Sequence, residues 1–569
     1  MTKIFLFILG ILFSVVGLIY IISYLNLLSL GYNFLEYVNF IIKIIGTICY
    51  NFAMKKESVF MIKIVHVPLD ERPCNYDFPT LMFQGKEFDI HRVPFEYMGL
   101  KKKPGNIAKI QEFFKEACKD AYAAIVSIDT LVYGGIVPSR LHYNTVEEIS
   151  ERLEVLKEVK KANPNIKIYA YNLVMRCPHY DDDDEEPFYY QHYGLRIHDK
   201  KAIEHKMEVN VATQEEIDYY NSIDIPFEYE NDYASRRKVN TAITCKVVEL
   251  VNEGIVDFLI VPQDDSAPFG YTAKDQMTVR SVVDKHNLQL KVLTYPGADE
   301  VSNTLFARML NEYYNKKPLV HVIYPSDECK NVIPCAEDRP LDISVRYQII
   351  ASGCLMTPDL NEADLILAIN APTRNMIASQ YREYSDYFGY VVGRNLVDFV
   401  ERINYLVYEK KKPVTICDIG YCNGSDPAFI RLVDQKNFYM DLAGYASWNI
   451  PCNSLGTALP MGIRYIYPHN KELFDDFLMH RFVEDIGYSS LGRKELREKY
   501  CGTNPGDYTI YDVHGQRDPY WVSLTHKVMK ELLHDLCPNL DGRYEILDMY
   551  FPWSRTYDIG LKVKYIKEK

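Results

Sequence analysis

The chain lacks most of the signatures that assign a chemistry at sight. Its thirteen cysteines contain no C-x-x-C pair, which speaks against a zinc ribbon or a disulfide framework and fits a reducing compartment. Long Lys/Arg clusters are absent and the formal net charge is -13, so the concentrated basic face that binds a phosphate backbone is missing and nucleic acid is not an expected partner. Neither G-x-G-x-x-G nor G-x-x-x-x-G-K-[ST] occurs, which removes the usual nucleotide fingerprints, and no H-E-x-x-H pair suggests a zinc protease. Tryptophan is scarce, with three in 569 residues.

What remains is ordinary globular material, 48% hydrophobic and 25% charged, long enough for two to four domains. The amino end differs. Residues 4–25 run without a charge, and at 1.5 Å per residue such a helix spans a hydrocarbon core of about 30 Å. A second apolar run, 38–54, carries Lys43 and reads as a weaker span or an interfacial helix. With Lys3 before the first run and Lys55 and Lys56 after the second, the charge pattern predicts a two-span hairpin. Residues 1–54 would then enter a bilayer and the soluble part would face the cytoplasm. Residues 1–60 either are an appended membrane segment or lie before the true start at Met61, which opens MIKIVHVPLD, in which case the protein is cytoplasmic.

From residue 61 short apolar runs alternate with helical patterns. Strands are expected at 62–69, 88–93, 123–128, 166–174, 256–261, 290–295, 319–324, 363–369 and 414–419. These runs are nearly continuous rather than alternating, as in parallel strands covered on both faces. TVEEISERLEVLKEVKKANP at 145–164 has a Thr cap, acidic first turn and 3–4 apolar spacing, so it reads as a helix. The fold class is α/β. The expected organisation is a membrane segment at 1–60, two doubly wound parallel-sheet domains at 61–300 and 301–465, and a mainly helical region at 466–569. A barrel-like βα repeat over 61–370 is the alternative.

Polar residues gather just past the strand ends, where a parallel sheet presents its ligand-binding edge. Asp70, Arg72, Cys74 and Asn75 follow the first strand, and Asp129 and Arg140 follow the third. VPQDDSAPFG places Gln263, Asp264 and Asp265 after the fifth, YPGADE places Asp299 and Glu300 after the sixth, and Asn370 ends the eighth. A single Asp after a strand is commonly a helix cap, but one cap leaves the second carboxylate of the QDD triple exposed, paired or functional. Asp264 and Asp265 are therefore the expected acid/base groups, with Asp299 and Glu300 as partner carboxylates, because adjacent carboxyls push one pKa upward and let it keep a proton. Asp70, Arg72, Asn75, Asp129, Arg140, Gln263, Asn370, Trp448 and Asn449 are the expected substrate contacts, the last two from GYASWNIPCNSLGTALP.

Such a set suits a sugar-like, polyhydroxylated small molecule, and hydrolysis is the leading reading. A membrane-tethered binding or sensory module without catalysis is the second. A hydrolase dependent on a divalent metal is the third, with Mg²⁺ or Mn²⁺ held through Asp70, Asp264 and Asp265. CPHYDDDDEEPF at 177–188 reads as a solvated loop, since contiguous carboxylates do not all point inward. YFPWSRTYDIG at 550–560 reads as a segment that completes the cleft or docks the tail, docking being the favoured reading, and Cys74 as a lesser candidate nucleophile.

The segments VPLDERPCN, SIDTLVYGG, VPQDDSAPFG, YPGADE, AINAP and YASWN…NSLGTAL together resemble a bacterial family known as a domain of unknown function, DUF4127, over residues of about 61 to 560. The resemblance implies relatives and no reaction, and the first 60 residues lie outside it.

Overall fold

The structure is a computed structural model that describes residues 61–85, 87–500 and 515–567. The expected membrane helices at 4–25 and 38–54 lie outside the described residues. Among those described, no helix is long and apolar enough to cross a membrane.

Two parallel sheets carry the fold. The first comprises β1 (Ile62–Val67), β2 (Phe88–Arg92), β3 (Ala123–Ser127), β4 (Lys167–Tyr171), β5 (Phe258–Gln263) and β6 (Val292–Pro296), in the order β2-β1-β3-β4-β5-β6. The second comprises β7 (Leu319–Ile323), β8 (Leu355–Met356), β9 (Leu365–Asn370), β10 (Val414–Asp418) and β11 (Gly444–Ala446), in the order β11-β10-β9-β7-β8. Every neighbouring pair in both sheets is parallel. The barrel alternative is corrected by this order: β2 and β6 are free edges, so the first sheet stays open instead of closing on itself.

Burial on both faces explains the continuous apolar runs. Ile64, Ile125, Tyr171 and Ile260 belong to one apolar cluster, while Val65, Val126, Ala170 and Val261, one residue along each strand, belong to another. Alternate side chains therefore enter separate cores on opposite faces. The helix Val146–Ala162 covers one face and forms as its sequence predicts. Thr145 accepts from the Glu148 amide and the Glu148 carboxylate accepts from the Thr145 amide, completing a capping box. On the other face lies the helix Val301–Tyr313, which packs against β3 and β4 and also against the helices Leu341–Ala351 and Pro451–Tyr465. Its core continues without interruption into the second sheet, through Leu365, Leu367 and Ile416.

Beyond residue 466, the helices Lys471–Phe482, Arg493–Tyr500 and Pro519–Leu536 are joined by an antiparallel hairpin of β12 (Tyr544–Tyr550) and β13 (Gly560–Tyr565). The hairpin is absent from the helical expectation for this region. Its alternate β12 residues are exposed, so it lacks the apolar run that marked the other strands.

Candidate functional site

The carboxyl edge of the first sheet is where its polar loops converge. In both sheets the strand order reverses beside the first strand, β1 with neighbours β2 and β3, and β7 with neighbours β8 and β9. Such a reversal splays the loops and leaves a crevice. Here a cavity of about 760 Å³ opens, lined among others by Arg72, Arg140, Asp264, Asp265, Asp299 and Asn449. Six residues singled out from sequence thus share one hollow.

Two ion-pair networks build its walls. In the first, the Arg72 guanidinium donates from Nη2 to Asp70 Oδ2 and to Asp299 Oδ1, each at 2.6 Å. Asn75 Nδ2 donates to Asp70 Oδ1 at 3.1 Å and to Asp299 Oδ1 at 2.9 Å, so both carboxylates are held from two sides. Burial pushes the Asp70 carboxyl upward against the pull of Arg72. Asp70 and Asn75 stand behind the wall and Asp299 on it. Burial and the nearby Asp299 carboxylate likewise push the Cys74 thiol well up, which removes its promise as a nucleophile.

In the second network, Arg140 Nη2 donates to Asp264 Oδ2 at 2.6 Å and Nη1 to Glu185 Oε2 at 3.0 Å. Arg176 donates from Nε to Glu186 Oε1 at 2.7 Å and from Nη1 to Asp265 Oδ2 at 3.3 Å. Arg555 Nη1 donates to Asp184 Oδ2 and Glu185 Oε1, both at 2.7 Å. Burial opposes ionisation of Glu185, yet the guanidiniums of Arg176, Arg555 and Arg140 together hold its carboxyl well below the usual range. The solvated-loop expectation therefore holds for only the first part of the acidic run: Asp181 and Asp182 are exposed, while Asp183 to Glu185 are partly buried and Glu186 is fully buried. Glu186 is 0% exposed and is paired with Arg140 and the nearby Arg176, while Arg555 from the far end of the chain pairs with Asp184 and Glu185.

Asp264 and Asp265 differ despite adjacency. At Asp264 burial outweighs the Arg140 guanidinium and lifts the carboxyl to about 6. Asp265 has one longer contact to Arg176, keeps 27% of its side chain exposed, and sits at φ +40°, a left-handed conformation unusual away from glycine. Ala336, Asn423 and Asn449, which line the same cavity, also adopt positive φ, at +58°, +62° and +51°. Asp and Asn tolerate this conformation, so of the four only Ala336 holds it at a steric cost.

The remaining expected residues lie elsewhere. Glu300 does not reach the cavity: its carboxylate accepts from the Ala298 amide at 3.0 Å and from Gln348 Nε2 at 3.1 Å. A Cβ on Gly456 would lie 2.1 Å from Glu300 Cγ, so the side chain is wedged against that helix. Burial raises its carboxyl to about 7. Asp129 accepts from the Leu173 amide at 3.0 Å and Asn172 Nδ2 at 3.2 Å, stitching β3 to β4. Gln263 Oε1 accepts from Arg339 at 2.6 Å. Asn370 belongs to a closed network at the second sheet, donating to Asp418 Oδ1 at 2.8 Å and accepting from Arg394 at 2.8 Å. Trp448 packs edge-on against Phe78 in the core, its Nε1 donating to Thr457 Oγ1 at 3.2 Å, so it supplies no floor to the main cavity.

Other lining residues escaped the sequence reading. Arg176 and Glu185 are the most consequential. The tail 551–559 also does more than dock, because Arg555 and Tyr557 line the cavity and Trp553 Nε1 donates to Glu71 Oε1 at 2.6 Å. Tyr557 in turn donates to Asn449 Oδ1 at 2.7 Å. Its signal was present in Trp553, Arg555 and Asp558 within an otherwise helical stretch. As for a metal, Asp70 and Asp264 are each tied to a guanidinium, and they do not gather with Asp265 into a ligand cluster.

The motifs that build these walls are those of a recognised group, and the model of the family described as "Protein of unknown function (DUF4127)" matches residues 64–562. The chain belongs to the DUF4127 family. The match runs from within β1 through both sheets to Lys562, so the whole cavity falls within the DUF4127 region. Residues 1–53 match the model of the YuzI protein family. No curated protein matches the chain.

Proposed function

We propose that the cavity binds a sugar-like, polyhydroxylated small molecule and hydrolyses it with Asp264 and Asp265. The observation that carries this reading is a pair of adjacent carboxyls, both pushed upward by burial, whose contacts differ. Asp264, lifted to about 6 by burial, retains a proton in part near neutral pH and can protonate a leaving oxygen, whereas Asp265 faces the hollow with a single longer contact. Hydrogen-bonding capacity suits hydroxyl groups: Asn423, Asn449, Asn453, Gln380 and Tyr557 line the walls. A volume of about 760 Å³ is within the usual range for small-molecule sites, roughly 300–1,000 Å³.

A screen of glycosides and phosphoesters with wild type, Asp264→Asn and Asp265→Asn tests the proposal. Turnover by wild type that both variants lose supports it, and full activity in both variants removes the pair from the mechanism. A second reading, binding without turnover, is favoured by the tight pairing of Asp299 with Arg72 and Asp264 with Arg140, which suits carboxylates that only accept hydrogen bonds. Saturable binding with no product from any library member decides for it. Attachment to a bilayer through residues 1–54 is part of either reading, and co-sedimentation of the full chain with membranes, compared with a chain starting at Met61, tests it.

A further inference from the structure

Beside the cavity stands a group of side chains that neither network uses. His198 and Asp199 are neighbours on the helix Tyr190–Glu208, and His179 comes from the loop before it. His179 Nε2 and His198 Nδ1 each lie 3.0 Å from the same carboxylate oxygen, Asp199 Oδ1. The three ligand atoms fall within 4.8 Å of one another, and among the described residues this is the one trio of histidine, cysteine or carboxylate ligands so close. We propose that His179, His198 and Asp199 form a binding site for a borderline divalent transition ion of the Zn²⁺ type at the rim of the cavity.

The spacing fits. Bonds of about 2.0–2.1 Å around a tetrahedral ion set ligand atoms roughly 3.3–3.4 Å apart, close to the 3.0 Å that separates each histidine nitrogen from Asp199 Oδ1, so small movements of the side chains admit the ion. Two imidazoles and one carboxylate suit zinc, cobalt or nickel and do not suit Mg²⁺ or Ca²⁺, which prefer oxygen alone. Three protein ligands leave a position open, and His179 is 60% exposed and lines the cavity with Asp181 and Asp182, so that position is accessible to solvent or ligand.

The surroundings hold the ligands in place. Tyr219 donates its hydroxyl to Asp199 Oδ2 at 3.3 Å, which turns Oδ1 toward the two rings, as an outer-shell partner does for a ligating carboxylate. The loop that carries His179 is pinned to the helix in two ways. Asp181 Oδ1 accepts from the Leu195 amide at 2.9 Å, and the Tyr180 carbonyl presses on Gly194, where a Cβ would lie 2.2 Å from it. A larger residue at 194 would lift the loop off the helix and carry His179 away from Asp199.

Titration of the full chain with Co²⁺, read by the visible absorption of the bound ion and repeated with Zn²⁺ as competitor, tests the site. One tightly bound ion per chain is expected, displaced by Zn²⁺ and not by excess Mg²⁺. His179→Ala and Asp199→Asn should each weaken binding by at least about tenfold, and Gly194→Ala should do so without touching a ligand. Circular dichroism confirms that each variant is folded. No saturable Co²⁺ binding, or binding unchanged in both folded ligand variants, overturns the assignment. Because the readout is metal binding alone, it stands or falls separately from hydrolysis.

Discussion

The Arg140 guanidinium donates to the Asp264 carboxylate at 2.6 Å across 124 residues of sequence. That contact joins the loop after β3 to the loop after β5 and gives the cavity one of its fixed walls. Both partners are buried, with 2% and 11% of their side chains exposed, so the pair is held in a setting that water screens little.

Removing one partner should therefore be costly. Arg140→Met leaves Asp264, Glu185 and Glu186 without a shared cation, and a buried pair broken on one side typically costs about 3–5 kcal/mol. Urea unfolding should show a loss of this order. The double variant Arg140→Met with Asp264→Asn should be less destabilised than the sum of the two single changes, because they share one interaction.

Asp264 also predicts a pH dependence with a definite sign. Its folded carboxyl is raised from 3.8 to about 6, with burial as the larger cause, so the folded chain binds this proton more tightly than the unfolded chain. Its favourable contribution is complete below about 3.8 and is lost as pH rises through about 6. Stability of wild type relative to Asp264→Asn should fall across that window in paired denaturation curves. If Asp264 is the acid, kcat/KM should decline on the alkaline side of about 6.

Glu300 should prove structural. Burial lifts its carboxyl to about 7, so it carries its proton for part of the time near neutral pH and a neutral amide is a close replacement. Glu300→Gln should leave turnover within about twofold, while Gly456→Ala should destabilise by about 1–3 kcal/mol because the new Cβ meets Glu300 Cγ at 2.1 Å. Activity assays and thermal melts of the two variants separate these effects.

The tail depends on Arg555. With its guanidinium bonded to Asp184 and Glu185, the segment 551–559 is clamped to the cavity. Arg555→Ala should raise amide hydrogen exchange in that segment while β1, β3 and β4 keep their protection. Unchanged exchange across 551–559 would show that Trp553 and the hairpin suffice.

How much of this was legible in the residues follows from range. The nine strands expected between 62 and 419 all form, because burial on both faces leaves a mark in the chain itself. β8 and β11 are too short to mark it, and β12 alternates partly buried and exposed residues over most of its length. Asp264, Asp265, Asp299 and Arg72 were found because each closely follows an apolar run, and a parallel sheet sends such positions to one edge; Arg140 came from the longer loop after the third strand, and Asn449 from its place beside a scarce tryptophan. Glu185 was missed for the opposite reason. Six successive acidic residues read as repulsive until Arg140 and Arg555 are brought to them from afar to join Arg176, and nothing in the segment announces those two long-range partners. The same local logic misplaced Glu300 and Asn370, which follow strands but turn into closed networks.

The most direct measurement of the central claim is the ratio of kcat/KM between wild type and Asp265→Asn on the best polyhydroxylated substrate, with folding of the variant verified. The account predicts a fall of about 10²-fold or more, the usual contribution of a positioned acid/base group. A variant that turns the substrate over as wild type does would contradict it.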